Sequence, residues 1–151
     1  NRTTFESVYE LRDMPVLFYG NIEPVRKHLG RDIIQDGQYV DPSKASLTEF
    51  FDEIDFWVHF PHERLRDRPW SGVFEAIQAG KVIILPPHLE KTYGDVYAEP
   101  EDVSTLVAEY SGDPERYMEQ AQRGQSYTEL HYSRASYLSR VRQLAGLDKA
   151  K

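Results

Sequence analysis

The decapeptide PHERLRDRPW, residues 61–70, concentrates the side chains best suited to chemistry. It holds His62, Glu63 and Asp67 with Arg64, Arg66 and Arg68, between an apolar run and a helical pattern. Three arginines against two acids make it locally basic in a chain whose 25 acids and 18 bases leave a net charge of −7. The stretch leads into the first turn of a helix read over residues 71–79. Free amides and the helix dipole there attract anions, and guanidinium forks match phosphate oxygens. A seat for a phosphate-bearing small molecule is the chemistry this points to; a solvated loop whose charges pair among themselves uses the same residues. Glu75 follows among Val73, Phe74, Ala76 and Ile77. Its carboxylate suits hydrogen bonds from a sugar diol, or it marks the exposed position of a mostly buried helix. Gly20-Asn21 closes an earlier apolar run. Glycine there lets a ligand approach the backbone, although an ordinary turn has the same composition.

Other chemistries lack their residues. The chain has no cysteine, which removes disulfides, thiolate catalysis and cysteine metal sites and fits a reducing, cytoplasmic setting. His28, His59, His62, His88 and His131 are scattered without a metal-ligand spacing and read as surface or packing histidines. There is no GxGxxG, P-loop or GxSxG motif, so neither a dinucleotide or triphosphate cradle nor a serine nucleophile elbow is expected. The acidic balance disfavours general nucleic-acid binding. No apolar run approaches the ~20 residues of a membrane helix.

The elements that must position these residues alternate between helix and strand. Residues 4–12 form a weakly amphipathic helix with Phe5, Val8, Tyr9 and Leu11 on its apolar side. Residues 14–19, MPVLFY, read as a buried strand, residues 24–29 as a short helix and residues 38–40 as a weak strand. Ser46-Leu47-Thr48-Glu49 is a capping box, followed by Leu47, Phe50, Phe51 and Ile54 on one helical face. Residues 55–60, DFWVHF, and 81–85, KVIIL, read as strands, with the helix 71–79 between them ended by Gly80. A short strand around residues 96–98 precedes closing helices opened by Pro100, Asp113-Pro114 and Ser133, the last with Leu138, Val141 and Leu144 turned inward. With 151 residues, 40% of them hydrophobic, the chain suits one domain. The expectation is a doubly wound α/β fold on a parallel sheet, with ligands at the carboxyl ends of its strands.

Taken together, VLFYGNIEPVRKHL, SLTEFFDEIDFWVHFP, SGVFEAIQAGKVIILP and the closing MEQAQRGQSYTELHYSRASYLSRVRQL resemble the C-terminal, Rossmann-like donor domain of GT-B glycosyltransferases, the retaining group in particular. The E-A-x-x-x-G-K-V-I stretch is the most specific part. The family often carries Glu-x7-Glu across its donor loop. Glu75 matches the second acid, which in the family binds ribose hydroxyls. Asp67 stands in register with the first, and Glu63 takes that place if the loop has a four-residue insertion. Trp70 replaces a small residue of the pattern, Gly72 is displaced, and Val82 replaces the usual proline.

The resemblance implies a nucleotide-diphosphate-sugar donor and no obligatory metal or other cofactor. Asp67 or Glu63 is the catalytic-site acid. Donor contacts fall to Glu75, Gly20, Asn21, Arg26, His62, Arg64, Arg68, Trp70, Ser71, Gly72 and Val73. It also implies that residues 1–151 are one donor-binding domain of a larger two-domain enzyme, whose acceptor domain lies N-terminal to it and which begins with a strand before the first helix. The partners expected are that domain and the nucleotide sugar, with no nucleic acid, no membrane span and an acceptor that could lie at a membrane surface. Two other readings use the same fold: a non-catalytic binding or regulatory module, and a sugar-nucleotide epimerase or phosphorylase half.

Overall fold

A computed structural model describes residues 14–20, 23, 27, 39–61, 71–89, 96–98 and 100–146. In chain order it contains β1 (Phe18–Tyr19), β2 (Tyr39–Val40), α1 (Leu47–Asp52), β3 (Phe56–Val58), α2 (Ser71–Gln78), β4 (Val82–Leu85), β5 (Val96–Tyr97), α3 (Val103–Ser111), α4 (Pro114–Tyr132) and α5 (Arg134–Leu144). Short 3-10 turns occupy Pro87–Leu89 and Pro100–Asp102.

Among the described residues every strand pairing is parallel. β1 pairs with β2, Phe18 opposite Tyr39 and Tyr19 opposite Val40. β4 is the centre of a second sheet, with Trp57 of β3 opposite Ile83 and Leu85 opposite Tyr97 of β5. The chain is thus a mixed α/β protein with two small parallel sheets. Its best-buried strand is the one with the most continuous apolar run. Val82, Ile83, Ile84 and Leu85 are all buried, because helices lie against both faces.

Alternation along the strands divides the interior in two. One core cluster gathers Ile83 and Leu85 with Phe50 and Phe51 of α1 and Val73, Ala76 and Ile77 of α2, with Trp57 packed against it. The other gathers Ile84, Phe60, Ala98 and Val103 of α3, with Phe56 and Val58 alongside. Aromatic rings knit the first cluster: Phe51 and Trp57 centroids are 5.5 Å apart, and Tyr19 and Phe50 5.0 Å. α4 spans this layer at its edge. Its Gln125 Nε2 donates to the Gln78 carbonyl at 3.2 Å, Tyr117 Oη donates to the Asp55 carbonyl, and Tyr132 stacks on Phe74 at 4.8 Å.

Local signals hold where they act within one turn. Ser46 Oγ accepts from the Glu49 amide at 3.2 Å, and Glu49 Oε2 accepts from the Ser46 amide at 2.7 Å, so the capping box forms as read. Gly80 ends α2 with φ of 75°, a left-handed conformation suited to glycine. Three expectations need correction. The strands are shorter than their apolar runs: the run 14–19 forms a ladder only at Phe18–Tyr19, and Phe60 lies beyond β3. Pro100, Glu101 and Asp102 form a 3-10 turn instead of the first turn of α3, which starts at Val103.

The third correction is to α5. Leu138, Val141 and Leu144 do not face inward; they are 42%, 41% and 88% exposed, and no residue of α5 is buried. The extended backbone of Ser133, φ −64° and ψ 159°, turns the chain between α4 and α5. Helical periodicity put these residues on one face, but this turn leads α5 away from both core clusters.

Candidate functional site

The carboxyl ends of β3 and β4 lie together because the strands are parallel and in register. Two backbone bonds extend the ladder past the strands. The His59 amide donates to the Ile84 carbonyl at 3.0 Å, and the Ala98 amide to the Leu85 carbonyl at 3.0 Å. Around this end stand His59, Phe60 and Pro61 after β3, Ser71 and Gly72 opening α2, and Pro86 through Leu89 after β4. In parallel sheets this end is where ligands are held, because the loops there are free of the crossover helices.

The floor is rigid and apolar. Phe60, Pro61, Pro86 and Leu89 are buried. Gly72 sits on the face of Trp57: a Cβ at this position would meet Trp57 Cζ2 at 3.3 Å. Glycine there lets the first turn of α2 approach β3, an observation that accounts for the displaced glycine of the sequence pattern. Val73 is buried. Ser71 is exposed at the helix start.

Glu75 is exposed, one turn into α2. Val73, Ala76 and Ile77 face the core, and at 100° per residue Glu75 projects from the opposite side of the helix. Gly20, at the carboxyl end of β1, has φ of 131°. Among the described residues, a Cβ there would meet nothing within 4 Å. The backbone conformation, not crowding, therefore requires glycine, and open space lies where a side chain would stand. Asn21, Arg26, His62, Glu63, Arg64, Asp67, Arg68 and Trp70 lie outside the described residues. The structure thus brings Ser71, Gly72 and Val73 to the strand ends with His59, and places Glu75 on the same helix.

Two histidines at this end were read in the sequence only as surface or packing residues. Burial pushes the His59 imidazole down from its ordinary 6.5 to about 4, so it is neutral at physiological pH. His88, in the 3-10 turn after β4, has a buried Nε2 without a hydrogen-bond partner. The signal was available: each follows an apolar strand run, in DFWVHF and VIILPPHL, where a parallel sheet delivers its loops. A neutral imidazole such as His59 at such a site can donate or accept a hydrogen bond without adding charge.

A shallow groove of about 450 Å³ lies elsewhere, between the end of α4 and α5, lined by Leu130, His131, Ala135, Ser136, Ser139 and Arg140. None of the candidate residues lines it. Among the described residues, no three His, Asp or Glu side chains gather in a way that could hold a metal ion, and no helix is long and apolar enough to cross a membrane. No protein-family model matches the chain, and none of the curated proteins or solved structures compared with it matches significantly.

Proposed function

We propose that the chain is the donor-binding half of a glycosyltransferase, holding a nucleotide-diphosphate sugar at the carboxyl ends of a Rossmann-like, doubly wound parallel sheet. The observation that carries the reading is the junction of β3 and α2. There Gly72, pressed on Trp57, brings the first amides of a helix to the strand ends, directly after a loop with three arginines. Helix-start amides and guanidinium groups together favour a diphosphate. Glu75 is then the acceptor for ribose hydroxyls, and Gly20 leaves room for a ligand beside β1. Asp67 or Glu63 is the acid that completes the pair. Charge developing on the departing diphosphate is stabilised by the same amides and arginines. The sugar passes to an acceptor held by a separate domain.

Titration calorimetry with UDP, GDP and their sugar conjugates tests the reading. At least one nucleotide should bind, and Glu75→Gln should weaken it by about 1.5–3 kcal/mol, the range for a hydrogen bond to a charged group. That is roughly ten- to a hundredfold in Kd. Equal binding by Glu75→Gln removes the ribose assignment; no binding of any nucleotide refutes the proposal as a whole.

A further inference from the structure

We infer that α5 docks on an anionic lipid surface, with its apolar stripe at the boundary of headgroups and acyl chains and its arginines on the lipid phosphates. The inference is independent of the ligand reading. Two distributions carry it. Among the described residues, the exposed large hydrophobics are Met118 and six others, Leu130, Tyr132, Tyr137, Leu138, Val141 and Leu144, all between residues 130 and 144. A contiguous patch of this kind marks a contact surface. Charge is as uneven. Residues 134–151 hold five of the chain's 18 bases, Arg134, Arg140, Arg142, Lys149 and Lys151, and one of its 25 acids, Asp148. The helix α5 itself has three arginines and no acid, in a chain whose net charge is −7. A basic, apolar helix on an acidic body is the pattern of a surface-binding segment.

The helix turns its polar side to the protein. Ser136 Oγ donates to the Leu130 carbonyl and Arg140 Nη2 to the His131 carbonyl, while Ala135, Ser136 and Ser139 line the groove against the end of α4. At 100° per residue, Tyr137, Leu138, Val141 and Leu144 fall on the opposite side, within one arc of about 120°. Arg140 and Arg142 stand at its two borders, and Arg134 lies within it at the first turn. A helix lying in a bilayer interface has this arrangement: arginine stems run along the apolar face and the guanidinium groups reach the headgroups.

Charge selects the occupant. It must supply negative groups beside an apolar surface. A second copy does not: α5 against α5 brings arginines together, and outside residues 130–144 the described residues offer only Met118 as an exposed large hydrophobic. An anionic bilayer supplies both and conforms to a convex helix face. It also repels the acidic remainder of the chain, so the molecule approaches with α5 first. Three contacts place that approach. Tyr117 of α4 meets the Asp55 carbonyl before β3, Gln125 meets the Gln78 carbonyl at the end of α2, and Tyr132 stacks on Phe74 in the first turn of α2. The helix α4 therefore runs in the direction of the strands and brings the start of α5 to their carboxyl ends, where Ser71 and Gly72 stand.

Co-sedimentation with vesicles of phosphatidylcholine, and of phosphatidylcholine with about 30% phosphatidylserine, tests the proposal. The chain should bind the anionic vesicles at least thirtyfold more tightly than the neutral ones, at roughly fivefold per arginine near the surface. Arg134→Gln/Arg142→Gln, which leaves the Arg140 bond to α4 in place, should remove most of that preference. Leu138→Ser/Val141→Ser should abolish binding with an unchanged urea midpoint, because both side chains are exposed. The chain has no cysteine, so an environment-sensitive dye can be attached at Leu144→Cys on the stripe or at Ser139→Cys on the opposite side. Anionic vesicles should brighten the first dye only. Equal binding to the two vesicle compositions, no binding to either, or an equal response of the two dyes overturns the proposal. Lipid-free association that Leu138→Ser/Val141→Ser abolishes assigns the face to a second copy and also overturns it. A longer polypeptide containing this chain that ignores the same vesicles assigns the face to its own other residues, with the same consequence.

Discussion

Acid should destabilise this protein through His59 before its ordinary carboxylates are protonated. Burial holds the folded-state imidazole at about 4, against 6.5 for the exposed group. Between those values the unfolded chain takes up a proton that the folded chain refuses. The unfolded state therefore binds more protons, and stability falls as pH falls across this window. The contribution is intact above pH 6.5. It shrinks by about 2 kcal/mol between pH 7 and pH 5, and by roughly 3 kcal/mol in all once pH passes 4. Urea unfolding followed by tryptophan fluorescence at pH 7 and pH 5 measures it. His59→Gln keeps the backbone amide that bonds to the Ile84 carbonyl but has nothing to titrate. Its loss between the two pH values should be smaller than that of the wild type by about 2 kcal/mol, which also cancels the contributions of the other histidines. Identical losses in the two proteins, or an NMR titration of His59 with a midpoint near 6.5, would refute the reasoning.

Ile84→Ala, in a fully buried strand, should cost about 2–5 kcal/mol in denaturant unfolding, whereas Leu144→Ala on the exposed end of α5 should stay within about 0.5 kcal/mol. Ser46→Ala removes the hydroxyl half of the capping box, leaves the backbone amide of residue 46 on Glu49, and should cost roughly 1 kcal/mol, with the Glu49 carboxyl, now held below its ordinary range by the Ser46 amide and hydroxyl, rising part of the way on NMR titration. Nucleotide binding that uses Arg64–Arg68 should weaken as salt rises from 50 to 500 mM, and a salt-independent Kd would remove those arginines from the site. On the proposed two-domain reading, the 151-residue chain alone should show no sugar transfer in a product assay, because the wall that faces the donor and excludes water would belong to a separate acceptor domain. Turnover at the rate of an intact enzyme would contradict the two-domain reading.

Much of this protein was legible residue by residue. Four residues, Ser46 to Glu49, specified a helix start because a hydroxyl and a carboxylate reach amides three residues away. VIIL announced a strand covered on both faces, and Gly80 announced the end of α2 through its left-handed backbone. The parallel class followed from helices set between strands, and every pairing is parallel. Each of these signals acts over a few bonds, or over one strand and its flanking helix, so neighbouring residues contain it. Of the candidate-site residues, Ser71, Gly72 and Val73 open a helix at the position the sequence pattern gave for its start, because that signal too is local.

Tertiary structure decided the rest. Leu138, Val141 and Leu144 share one helical face, but only contact with the core distinguishes a buried stripe from an exposed one, and no residue of α5 is buried. Gly72 looked like a displaced motif glycine until the indole of Trp57 appeared beneath it. His59 carries no mark in the sequence of a depressed pKa; desolvation is set by what packs around it from distant parts of the chain. The division of the described strands into a β1-β2 sheet and a β3-β4-β5 sheet is likewise invisible in the sequence. Side-chain patterns say which faces are buried, whereas backbone pairing is a relation between segments far apart in the chain, so which strand stands beside which is settled only when they meet.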